Sequence, residues 1–251
     1  FDQRKPKFSA LAAAAWLILS AVWSAQSATF TIVNQDGPNE GFNQTTPATP
    51  VGGNTGTTLG QQRINVFAEA GRQWGALLQS SVDIRVQAQF NPLPAGVLGS
   101  AGPINGFRDF PNAPVPNTLF PSALANALAG ADQDPAQNDI NAQFSSDFTF
   151  YMGFDHLVPA GQVDLLVVLL HEMGHGLGFL TFVNRSTGAK SGGTDDHYMR
   201  FLVDEASGLN WSNMSDGQRA NSSTSNGQLQ WSGAFAVAAA SGLSAGNGSV
   251  G

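Results

Sequence analysis

His171, Glu172 and His175 are the residues of this chain best placed by type and spacing to do chemistry. On a helix, residues four apart project from one face with about 6 Å between their β-carbons. From there two imidazoles can hold one tetrahedral zinc ion at about 2.0–2.1 Å each. Glu172, one position further round, is close enough to reach a metal-bound water without ligating the metal. Such a water, acidified towards a pKa of about 7, is a nucleophile whose proton Glu172 can accept and pass to a leaving amine. The expectation is a zinc-dependent endopeptidase with Glu172 as the catalytic general base, His171 and His175 as metal ligands, Zn2+ as cofactor and a protein or peptide as substrate. The competing reading of the triplet is two core histidines packed with a glutamate, but an unpaired glutamate in so apolar a run is costly to bury.

The elements that must position these groups are legible around them. Gln162 to Phe179 is apolar apart from Asp164 and the triplet, with glycines at its end, and predicts a buried helix of about 15 residues. Upstream, Ile64, Phe67, Ala68, Ala70, Trp74, Leu77 and Leu78 recur at helical spacing within 61–79. The period then changes to two: Val82, Ile84, Val86, Ala88 and Phe90 alternate with polar residues as in a half-buried strand. Residues 95–117 read as loops with a short strand near Val97 and Leu98, residues 121–129 as a short helix, and 139–144 and 148–154 as strands. The Gly, Pro, Asn and Thr of the stretch up to residue 60 predict an irregular lead-in over 28–60. The expected class is α+β: a mixed twisted sheet with a packed helix and a central active-site helix over 61–251, its C-terminal part mostly helical or irregular.

Composition narrows the function. With no cysteine among 251 residues, disulfide frameworks, thiolate zinc sites, iron–sulfur clusters and cysteine nucleophiles are excluded. Three lysines and a net charge of −7 leave no basic stripe for a nucleic acid. Arg4, Lys5 and Lys7 precede an uncharged run to Trp23 and the small residues Ala25 to Ala28, the layout of a secretory signal peptide over 1–27 cleaved after Ser27. The apolar core of that segment is about 13 residues, too short for a permanent membrane span, so a secreted, periplasmic or cell-surface location is expected. The mature chain would carry about −9. Export without cysteine suggests a bacterial route. The sequence opens on Phe1 and stops inside a Gly/Ser/Ala stretch, which reads as a piece cut from a longer protein.

The string HEMGHGLGF over 171–179 resembles the active-site helix of the zincin metallopeptidases, and its HExxHxxG part is similar to the opening of the metzincin signature at His171, Glu172, His175 and Gly178. That resemblance implies a zincin-like fold, zinc, a peptidase reaction and the roles given above. The stretch Tyr198 to Asp204, with Trp211, Gln230 and Trp231, resembles secreted bacterial HExxH peptidases that can carry a protease-associated domain. Thr181 stands where a metzincin has its third ligand. Asp196 is the favoured replacement, since Gly193-Thr194-Asp195-Asp196 partly resembles the aspzincin GTxD. His197 follows, then Asp204 and Glu205 in a gluzincin-like arrangement.

Three further residues invite weaker roles. His156 is expected as a turn residue near the cleft, Tyr198 as an aromatic packing residue able to stabilise an oxyanion, and Asp164 as a residue of the helix's first turn that could orient a ligand. No nucleotide, flavin or haem motif is present. Two rival readings remain: an exported surface or adhesion protein that binds zinc without catalysis, and a binding module with no metal.

Overall fold

In the computed structural model residues 26–240 are described. Strand β1 (Phe30–Asn34) is followed by helix α1 (Leu59–Leu77), β2 (Ile84–Asn91), β3 (Gly99–Pro103), the short β4 (Gly106–Phe107) and β5 (Thr118–Pro121), and helix α2 (Ser122–Ala129). Then come β6 (Ile140–Ser145), β7 (Phe150–Tyr151), β8 (Val163–Asp164) and helix α3 (Leu165–Leu177). Beyond α3 lie β9 (Asp195–Asp196), β10 (Leu202–Asp204), β11 (Leu209–Asn210), α4 (Asp216–Ser222), β12 (Leu229–Trp231) and α5 (Ala234–Ala240). The class is mixed α+β, with several small sheets beside the main one.

The main sheet has the order β1-β2-β6-β3. β1, β2 and β6 are parallel, and β3 runs antiparallel to β6 on the outer edge. The period-two pattern of β2 sends Ile84, Val86, Ala88 and Phe90 into the core. There Phe67 of α1 meets Phe144 of β6 edge to face at 5.4 Å, and Phe42 meets both Phe67 and Phe90 at 5.2 Å. Thr58 starts α1 by accepting the Gln61 N–H at 3.2 Å, an N-cap that satisfies one orphan donor. α1 reaches across to α3, where the Trp74 indole N–H donates to the Leu170 carbonyl at 3.2 Å.

α3 is the central element. Leu165, Leu166, Leu169 and Met173 are fully buried in the same core, and the helix backbone approaches β6 closely at Gly176. A β-carbon there would stand 2.5 Å from Ile140 Cγ2, far inside van der Waals contact.

The structure departs from the sequence expectations in four places. The lead-in is not wholly irregular, because Phe30–Asn34 pairs with β2 in register from Phe30↔Ile84 to Asn34↔Ala88; residues 35–58 hold only a 3-10 turn and isolated bridges. The strand expected near Val97 lies at Gly99–Pro103, where β6 offers a partner. The aromatic run 148–154 forms strand only at Phe150–Tyr151, paired with Val163–Asp164. The C-terminal part carries a three-stranded sheet, β11-β10-β12, with its own cluster of Met199, Leu202, Trp211 and Met214.

The signal-peptide reading falls almost wholly outside the described residues; Ser27 itself bridges Gln79. Among the described residues no helix is long and apolar enough to cross a membrane.

Gly176→Val should lower stability by about 1–3 kcal/mol, the usual range for overpacking, read as a lower urea midpoint with an unchanged slope. An unchanged midpoint would contradict the close approach of α3 to Ile140.

Candidate metal centre

α3 begins at Asp164, whose Oδ1 accepts the Val167 N–H at 3.2 Å, and it ends at Gly178 with φ +122°. A side chain at Gly178 would crowd Pro121 and His197, with β-carbon distances of 3.1 and 3.2 Å. Because the apolar residues of the helix face the sheet and α1, His171 and its neighbours are left towards solvent.

His171 and His175 turn their rings towards each other, with Nε2 to Nε2 at 3.1 Å and ring planes at 90°. Two nitrogens each about 2.0–2.1 Å from a tetrahedral ion would stand about 3.3 Å apart. The pair is therefore spaced to hold one divalent ion with little movement. His175 Nδ1 lies 2.9 Å from the Phe179 carbonyl. A carbonyl only accepts, so Nδ1 carries the proton and Nε2 keeps its lone pair for a ligand.

Glu172 is half-buried, and its Oε2 accepts the Ala101 N–H of β3 at 2.9 Å. Its other oxygen has no hydrogen-bond partner among the described residues. Together with His171, Val167, Val168 and Gly96–Gly99, it lines a cavity of about 430 Å³. His175 lines a second cavity, of about 460 Å³, with Phe179, Tyr198 and Trp231 among its walls. The backbone contact from Ala101 was invisible in the sequence, since a main-chain N–H carries no residue signature.

Of the four candidates for a further ligand the three carboxylates are engaged elsewhere, and among the described residues no group of three or more His, Asp or Glu side chains converges as a metal site. Asp196 is 1% exposed. Its Oδ2 accepts from the Thr181 hydroxyl at 2.7 Å and the Phe182 N–H at 2.9 Å, and its Oδ1 from the Met199 N–H at 2.8 Å. Burial raises its pKa against those bonds. Asp204 accepts from Ser207 and Ser222, bonds that hold its carboxyl below the usual range, with Ser207 the main contributor. Glu205 accepts from the Gln230 side chain. His197 stacks on Phe120 with ring centroids 5.5 Å apart, and its Nδ1 is buried without a partner.

The weaker candidates also resolve. His156, with φ +56°, places Nδ1 2.6 Å from Asp164 Oδ2, so the two tie the turn before α3 to its N-cap. Tyr198 packs against Trp231 at 4.5 Å and Phe179 at 5.1 Å.

Comparison with known proteins finds similarity to other proteins than the motif suggested. A family model described as SPBPB7E8-like matches residues 117–217, a span holding β5 to α3 and Asp196 to Asp204. An uncharacterized protein of Schizosaccharomyces pombe, PB7E8.01, is 30% identical over 145 residues, 51% of this chain and 25% of that protein. The chain thus matches about a quarter of the length of this curated relative. No solved structure matches the chain. These findings correct the resemblance to zincin metallopeptidases and to secreted bacterial HExxH peptidases: the matches are to neither. The ligand geometry agrees, because such a site needs a third protein ligand and none of Asp196, His197, Asp204 or Glu205 joins the two histidines.

Desolvation lowers the pKa of His197 from its ordinary 6.5 to about 4. A depressed folded-state pKa means that the unfolded chain binds the proton more readily. Its contribution to stability is therefore full above about pH 6.5 and is lost as pH falls to about 4, on the order of 3 kcal/mol. Urea unfolding should show that decline between pH 6.5 and 4, and His197→Phe should flatten it; an equal decline in the variant would contradict the assignment.

Proposed function

We propose that the chain is an exported, zinc-dependent endopeptidase with Glu172 as its general base. The observation that carries this reading is the convergence of His171 and His175 Nε2 at 3.1 Å beside a carboxylate fixed by an edge-strand amide. A zinc ion bound there would supply Lewis-acid polarisation of the scissile carbonyl and a more acidic attacking water. His171 and His175 would hold the ion. Glu172, with one oxygen fixed by the Ala101 N–H, presents the other to the water, accepts its proton and returns it to the leaving amine. Fixing that rotamer shortens the search for a reactive geometry.

Two features favour catalysis over zinc binding alone. A structural zinc site is closed by four protein donors, whereas a catalytic one holds three and keeps a position for water; the two histidines that converge among the described residues are short of closure. Cavities lined by His171 on one side and His175 on the other also give an extended peptide room around the reacting bond. Export is supported by the charge and hydropathy pattern of residues 1–27.

Purified chain should take up one zinc per molecule, and His171→Ala or His175→Ala should abolish that uptake in elemental analysis. Glu172→Gln should keep the zinc and lose about 10²–10⁴-fold in kcat on a protein substrate; retained turnover would refute Glu172 as base. N-terminal sequencing of secreted protein should begin at Ala28, and a retained segment 1–27 would refute the processing.

A further inference from the structure

The cavity beside His175 is walled by rings from three separate parts of the chain. Phe179 follows the turn at Gly178, Tyr198 precedes β10, and Trp231 ends β12. Trp231 lies 4.5 Å from Tyr198 and 6.2 Å from Phe179, and Phe201 backs it at 4.9 Å. Leu180, Val183, Leu202 and Trp211 add apolar lining. About 460 Å³ of space falls within the roughly 300–1,000 Å³ of small-molecule sites.

Phe179 is 59% exposed and Phe201 41%, so the rings form an open apolar rim that continues to a metal ligand. Exposed aromatic surface of this kind marks a recognition site. We infer that this cavity selects peptides carrying a large aromatic side chain next to the scissile bond, with Tyr198 and Trp231 as the specificity-determining residues. The inference rests on the endopeptidase reading and adds its substrate class.

Rings favour edge-to-face and offset contact with another ring, about 0.5–1.5 kcal/mol per pair beyond area burial, and the Tyr198–Phe179 pair already shows the edge geometry at 76°. Arg185 also lines the cavity, but it is exposed, and a carboxylate among four rings would lose more hydration than one solvated cation restores. An acidic side chain is therefore disfavoured. Alanine would leave most of the space unfilled.

The test uses three peptides differing only at the selected position, Phe, Ala or Glu, with zinc-loaded chain and calorimetric binding to Glu172→Gln. The Phe peptide should lead both others by about tenfold or more in kcat/KM and in Kd. Trp231→Ala should bring the Phe to Ala ratio near 1, Trp231→Phe should restore much of it, and Leu180→Trp, which fills the cavity, should also lower it. Equal ratios for the three peptides, a Glu preference, or an undiminished Phe preference in both Trp231→Ala and Leu180→Trp would overturn the inference. Absence of cleavage with the Phe binding preference intact would refute the hydrolase reading alone and leave the aromatic selectivity standing.

Discussion

Helix α3 must bury an apolar face against the sheet while leaving His171 exposed and Glu172 and His175 half-exposed, and the arrangement of the site follows from that division. Leu165, Leu166, Leu169 and Met173 are withdrawn completely from water, which stabilises the helix by roughly 1.5–3 kcal/mol for each large side chain relative to its exposed state. Gly176 brings the backbone against Ile140, so the helix is seated at a fixed height on β6. Once height and rotation are fixed, the i to i+4 repeat alone sets the two histidines on one side.

The ends of α3 are tied as firmly as its middle. Before the helix, Asp164 caps the first turn and contacts His156, while Tyr151 donates to Asp155 at 2.5 Å. At the far end, His175 bonds the Phe179 carbonyl, and Gly178 turns the chain under His197. Asp196 then joins residues 181–182 to residue 199 through three hydrogen bonds, holding the aromatic residues of the C-terminal part beside His175. A buried carboxylate bonded in this way organises backbone; with its oxygens committed, it has little capacity left for an ion.

Much of this was legible in the sequence because it depends on periodicity. The helical spacing of Phe67, Ala70 and Trp74, the alternation from Ile84 to Phe90 and the apolar run into His171 each report one element meeting one core. Glu172 and the two histidines were legible as a local motif, since three residues of one helical turn need no long-range folding to be neighbours. What depended on chain pairs distant in sequence was not. Ala101 and Glu172 are 71 residues apart, and the bond uses a main-chain amide. Asp196 looked like a ligand because its carboxylate follows a GTxD-like string, yet burial beside Thr181 and Met199 gives it another task. The same limit applies to the zincin resemblance: a short motif repeats the chemistry of a site without specifying the fold that presents it.

The central claim is that His171 and His175 bind one ion between them, and zinc K-edge X-ray absorption of the zinc-loaded chain tests it most directly. The account predicts two imidazole nitrogens at about 2.0–2.1 Å with the remaining shell made of light oxygen donors from solvent. A shell without histidine, a single histidine nitrogen, or a spectrum unchanged in the His171→Ala, His175→Ala double variant would contradict it.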